Sequence, residues 1–172
     1  MKKTVLAVTI LGALVAACGG TESTTSPQKA EQPAVPAKKA PKTAGEFVEA
    51  LRASGLPIGR VQVYTAESDP NSLLGRPGGY VHKANFHDTR IELDPEFRSE
   101  PNEVRASDGG SVEIFGDEAG ARRRTEFLQT LSQNLPMAGE YTYQSGTVVL
   151  RVSKELTPDQ AAQYEQALKE IR

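Results

Sequence analysis

Tryptophan is absent from this chain, and cysteine occurs once. A single thiol has no intramolecular disulfide partner and cannot assemble a thiolate metal centre. Histidine occurs twice, so any imidazole chemistry rests on His82 and His87. Neither sign of charge dominates: the formal net charge is −2. That balance gives no bulk electrostatic case for nucleic acid or for anionic lipid. Long apolar runs are missing too. The longest, residues 5–15, is interrupted by Thr9 and Gly12 and falls short of the roughly 20 residues that cross a bilayer core. There is no Gly-x-Ser-x-Gly elbow, no His-Glu-x-x-His and no EF-hand loop. Carboxylates are plentiful, but nothing in their spacing sets two of them across a cleft as a glycosidase pair requires.

What is present begins with Lys2 and Lys3, a short positive segment ahead of that apolar run. Leu14-Val15-Ala16-Ala17-Cys18 follows: a branched apolar residue, small residues, then the one cysteine. Length, charge and small residues fit a signal peptide. The stretch resembles the lipobox of bacterial lipoproteins. The resemblance implies cleavage before Cys18, a diacylglyceryl thioether on its sulfur, and acylation of the new amine. Two or three chains at about 0.8 kcal/mol per buried methylene attach a protein stably, where one does not. Loss of Lys2 and Lys3 would take the formal charge from −2 to −4.

Three parts are therefore expected: a cleaved signal over 1–17, a lipidated Cys18 with a tether over 18–43, and one folded domain over 44–172. The tether holds Pro27, Pro33, Pro36 and Pro41, with Val35 its only sizeable apolar residue. Such a composition cannot bury enough surface to offset the entropy of ordering. Treated as a flexible coil of about 24 residues, it spans roughly 25–30 Å.

The folded part opens on Thr43-Ala44-Gly45-Glu46, a capping box that starts a helix over about 44–54. Arg60 to Tyr64 alternates as a strand. Residues 65–79, with Asp69-Pro70-Asn71 and Gly75-Arg76-Pro77-Gly78-Gly79, read as a turn-rich loop with Leu73 and Leu74 tucked beneath. Residues 80–87 read as a strand with Tyr80, His82, Ala84 and Phe86 on one face. Arg90 to Leu93 reads as a further short strand, and 94–107 as an irregular connection. Ser111 to Phe115 is another strand. Asp117 caps a helix to about Gln133 whose apolar stripe is Phe127, Leu128, Leu131 and Leu135. A hairpin over 140–144 and 147–152 turns at Ser145-Gly146. Thr157-Pro158-Asp159-Gln160 starts a last helix, with Ala161, Tyr164, Leu168 and Ile171 inward. The expected fold class is α+β: an antiparallel sheet of about five to six strands with three helices packed mainly on one face.

No residue is assigned a catalytic, cofactor-binding or metal-binding role. His82 and His87 with Asp88 would need to converge to hold a metal or serve a hydrolase, and on a regular strand positions 82 and 87 point to opposite faces. The glycines of 75–79 form a turn and lack a P-loop ending. Arg122, Arg123 and Arg124 fan by about 100° each, so they read as a solvated, self-paired helix face. The most site-like grouping is a recognition surface of Asp69, Asn71, Arg76, Tyr80, His82, His87, Asp88 and Arg90, because polar and aromatic residues gathered at a loop often mark binding. The texture of residues 110–115 and 148–162 resembles small uncharacterised bacterial lipoproteins, from which no activity transfers. Three functions stay open on sequence alone. One is a membrane-anchored extracytoplasmic binding module with an envelope protein partner and no nucleic acid. Another is a surface exclusion or inhibitor lipoprotein. The last is a small hydrolase or metal-dependent enzyme on His82, His87 and Asp88.

Overall fold

A computed structural model describes residues 40–93, 103–135 and 139–171. All of these fall within one compact unit, residues 38–172. The expected signal, Cys18 and most of the tether lie outside the described residues, as does most of the 94–107 connection.

The first helix, α1 (Ala44–Ala53), begins as the capping box requires. The Thr43 hydroxyl accepts from the Glu46 amide at 3.2 Å, and the Glu46 carboxylate accepts from the Thr43 and Lys42 amides. Three backbone donors are satisfied in this way. Gly55, at φ +93°, lets the chain leave the helix. The strands are β1 (Ile58–Val63), β2 (Tyr80–Asp88), β3 (Gly109–Phe115), β4 (Glu140–Ser145) and β5 (Val148–Ser153), with α2 (Glu118–Asn134) between β3 and β4 and α3 (Pro158–Glu170) last. They form one five-stranded sheet in the order β1-β2-β3-β5-β4, antiparallel throughout. The architecture is α+β, with five strands and three helices among the described residues.

Side chains along a strand alternate between faces. One face presents Ala84, Phe86, Val112, Ile114, Leu150 and Val152. Phe47, Val48 and Leu51 of α1 and Ala161, Tyr164 and Leu168 of α3 cover it. The Phe86 and Tyr164 rings stack at 5.4 Å between centroids. Burial of each of these larger side chains contributes about 1.5–3 kcal/mol. This is the main core, and the last-helix stripe read from sequence supplies its share.

The opposite face carries α2. Ala121 and Leu128 pack with Val149, Tyr80 and Phe115, and Leu73 and Leu74 close the cluster from the loop. α2 thus packs with the second cluster and not with that of α1 and α3, which corrects the expectation of three helices mainly on one face. The α2 stripe is corrected as well. Leu128 is buried, whereas Phe127 and Leu135 are 57 % and 55 % exposed. Ala121 and Thr125 take the inward positions instead. A bulge between Tyr80 and His82 shifts the register. It turns Tyr80 away from the face of Ala84 and Phe86 and into the second cluster. Residues 90–93 form no strand: Arg90 turns back onto Asp88, and the Ile91 amide closes on the Asp88 carbonyl at 2.9 Å.

Candidate recognition surface

The face beneath α2 is unusual in its charge. Register aligns Lys83 with Glu113 and Val149, and Asn85 with Ser111 and Arg151. Lys83, Asn85, Ser111 and Glu113 are all at most 4 % exposed. A charge taken out of water needs partners, and each of these charges has them.

Glu113 is the hub. Arg124 of α2 grips it through Nε at 2.7 Å and Nη2 at 3.0 Å. Arg151 adds a bond from Nη1 at 2.9 Å and holds Glu140 with Nε at 2.6 Å and Nη2 at 3.0 Å. Two guanidiniums and two carboxylates balance. Burial pushes the Glu113 carboxyl up, but Arg124 and Arg151 together hold it below the usual range. Burial also opposes the charge on Arg151, yet Glu140 and Glu113 raise its pKa overall.

Asp69 anchors the 65–79 loop onto the same face. Its carboxylate accepts from Lys83 at 2.8 Å, from the Tyr80 hydroxyl at 2.7 Å, and from the Leu73 and Leu74 amides at 2.8 and 3.1 Å. Asn71 donates to the Tyr80 hydroxyl at 3.2 Å. Burial disfavours the Asp69 anion, but Lys83, Tyr80 and the Leu73 amide outweigh it and hold the carboxyl well below its usual range. Lys83 also sits 4.7 Å from the Tyr64 ring centre. Its pKa falls because burial outweighs the pull of Asp69. The several donors around Asp69 keep the Asp69–Lys83 pair ionised.

The eight residues singled out from sequence do not gather in one place. Asp69, Asn71 and Tyr80 meet under the loop. Asp88 and Arg90 form a separate clamp on the other sheet face, where Arg90 Nη2 reaches Asp88 at 2.6 Å and the Tyr164 hydroxyl donates to it at 2.6 Å. Arg90 also reaches Gln163 of α3 at 2.9 Å. Burial raises the Asp88 carboxyl, while Arg90 and Tyr164 lower it by more. His82 and Arg76 are exposed. His87 lies half-buried on the charged face, its Nε2 3.0 Å from the Ile91 carbonyl.

From residue 82 onward the β2 register is regular, so His82 and His87 project from opposite faces. Asp88 shares the His82 face but lies six residues on, about 20 Å away at strand rise. The constellation a metal or a hydrolase would need is therefore not assembled. Among the described residues, no three His, Cys, Asp or Glu side chains stand where they could hold a metal ion.

Sequence reading missed the charges that matter most here: Lys83, Glu113, Arg151 and Glu140. It also put Arg124 in solvent, whereas exposed Arg122 pairs along its own helix with Glu126, at 3.8 Å. The available signal was alternation in β3 and β5, which places Glu113 and Arg151 on one face. What this arrangement does chemically is pin α2 and the 65–79 loop to the sheet through compensated ion pairs. Asn85 Oδ1, Ser111 Oγ and Thr142 Oγ1 are buried on the same rung without hydrogen-bond partners. Comparison of the chain with protein-family models, curated proteins and solved structures finds no match.

Proposed function

We propose that the chain is a lipid-anchored extracytoplasmic protein whose folded domain binds a protein of the cell envelope. The signal over 1–17 is removed, Cys18 carries the lipid, and residues 18–43 hold the domain off the membrane. The observation that carries this reading is the sequence Leu14-Val15-Ala16-Ala17-Cys18 behind Lys2, Lys3 and an apolar run of signal length. Support for binding comes from the domain, whose buried carboxylates Asp69, Asp88 and Glu113 are all bonded internally as scaffold. A lipid on the cell membrane and a compact ion-paired domain suit presentation of a surface. A surface that blocks another protein is one form of that role.

Feeding cells an alkyne-bearing fatty acid tests it. The native chain takes up the label, and Cys18→Ala loses it and keeps its first seventeen residues. Equal labelling of the two proteins overturns the proposal. So does a native chain with no label.

A further inference from the structure

The sheet has two outer strands, β1 and β4, and the chain protects them unequally. An outer row of backbone amides and carbonyls pairs with another strand unless something blunts it. On β1 a bulge breaks the register between Ile58 and Val61. Arg52 covers the Ile58 and Gly59 carbonyls at 3.2 and 2.7 Å, and the Gln62 side chain accepts from the Val104 amide at 2.9 Å. None of these devices is present on β4. Its six residues include no proline, glycine or lysine, and they pair with β5 in unbroken register.

The outward groups of β4 follow from β5. The Phe115 amide donates to the Thr147 carbonyl at 2.9 Å, so Thr147, Val149 and Arg151 turn their backbone toward β3. Val148, Leu150 and Val152 then turn theirs toward β4, opposite Ser145, Tyr143 and Tyr141. Glu140, Thr142 and Gln144 are left pointing outward. Ser132 of α2 takes the Glu140 amide and carbonyl, at 3.3 and 3.4 Å. Among the described residues, nothing pairs with the backbone amides and carbonyls of Thr142 and Gln144.

We infer that this edge joins two copies of the chain, β4 against β4, antiparallel about a two-fold axis at Tyr143. Thr142 of each copy exchanges both backbone bonds with Gln144 of the other. Two donors and two acceptors per copy are used and none is left over, so the edge is its own complement, as a two-fold interface requires. Ser132 ends the pairing on one side and the Gly146 turn ends it on the other, which fixes the register. The one charged side chain of β4, Glu140, is held by Arg151, so the axis brings no unpaired like charges together. Tyr143 meets its own copy across the axis, an aromatic cross-strand pair. The two sheets become one of ten strands. Self-association is separate from the envelope partner and from the lipid, so these readings stand or fall independently.

The test uses residues 19–172, which include the whole compact unit and no cysteine. Amide hydrogen exchange is followed from about 20 µM to about 1 mM. The Thr142 and Gln144 amides should slow several-fold as concentration rises, whereas Tyr141 and Tyr143, already bonded to β5, should not change. Sedimentation over the same range should show a monomer–dimer equilibrium. Thr142→Pro removes only an outward amide, a place where an edge strand accepts proline, and should leave the chain monomeric. Tyr143→Cys should close an intermolecular disulfide about tenfold faster than Gln144→Cys, although Gln144 is the more exposed, because only the pair at the axis lies within disulfide reach. The inference is overturned if the domain stays monomeric, if exchange at Thr142 and Gln144 ignores concentration, or if the dimer survives Thr142→Pro. Equal crosslinking by Gln144→Cys, or by Val63→Cys on the protected edge, also overturns it. Exchange is measured on the unsubstituted chain, so it decides even where a variant fails to fold.

Discussion

Replacing Glu113 by alanine removes the one carboxylate shared by two partly buried arginines. Arg124 loses both bonds of its bidentate grip, and Arg151 loses one of three. The Glu113 side chain is 0 % exposed, and those of Arg124 and Arg151 are 13 % and 15 %. Water therefore cannot readily replace the lost partner. Stripping one member from a buried pair costs about 3–5 kcal/mol, mostly from the charge left behind. For a domain of roughly 130 residues, that lowers the melting temperature by about 10–20 °C. Circular dichroism during heating and urea titration reads the change. Replacing both Glu113 and Arg124 by leucine should recover much of the loss, since no orphaned charge remains at that pair. Arg122→Met, on the exposed pair with Glu126, should move stability by no more than about 0.5 kcal/mol. A loss below about 1 kcal/mol in Glu113→Ala would refute the reasoning, because it would mean the hub is solvated.

Tyr164→Phe deletes the hydroxyl that donates to buried Asp88 and should cost about 1.5–3 kcal/mol in urea unfolding, as a hydrogen bond to a charged group does. Asp69, Asp88 and Glu113 all have folded pKa values below their ordinary ones, so their stabilisation is complete above about pH 4–4.5 and is lost as the pH falls toward the folded values. Acid titration of unfolding should accordingly show stability dropping below that window, with a shallower drop in Asp69→Asn. Gly79→Ala should destabilise by more than about 2 kcal/mol, because its Cβ would lie 1.9 Å from the Leu73 carbonyl oxygen, whereas Gly116→Ala meets nothing nearer than 4.0 Å and should be tolerated. Ser111→Ala should be neutral or stabilising by up to about 1 kcal/mol, since it removes a buried hydroxyl without a partner.

The parts of the fold written in local chemistry were legible in the sequence. Both capping boxes, Thr43 with Glu46 and Thr157 with Gln160, start helices where the residues say they should. The β4–β5 hairpin turns next to Ser145, with Gly146 at φ +55°. Long-range pairing was not legible. Alternation shows which residues share a face, but not whether a polar face is wet. Nothing local marks Lys83 and Glu113 as buried; that depends on Asp69, which the loop brings, and on Arg124, which α2 brings. The bulge after Tyr80 was hidden for the same reason, since register is set by β3. The recognition grouping is not gathered in space: Asp69, Asn71 and Tyr80 meet under the loop, Asp88 and Arg90 lie on the other sheet face, and Arg76 is exposed on the loop.

Lipidation of Cys18 is read from the mass of the amino-terminal peptide of cell-derived protein. The chain should begin at Cys18 and carry the added mass of a diacylglyceryl group. A free Cys18 thiol with residues 1–17 still attached would contradict it.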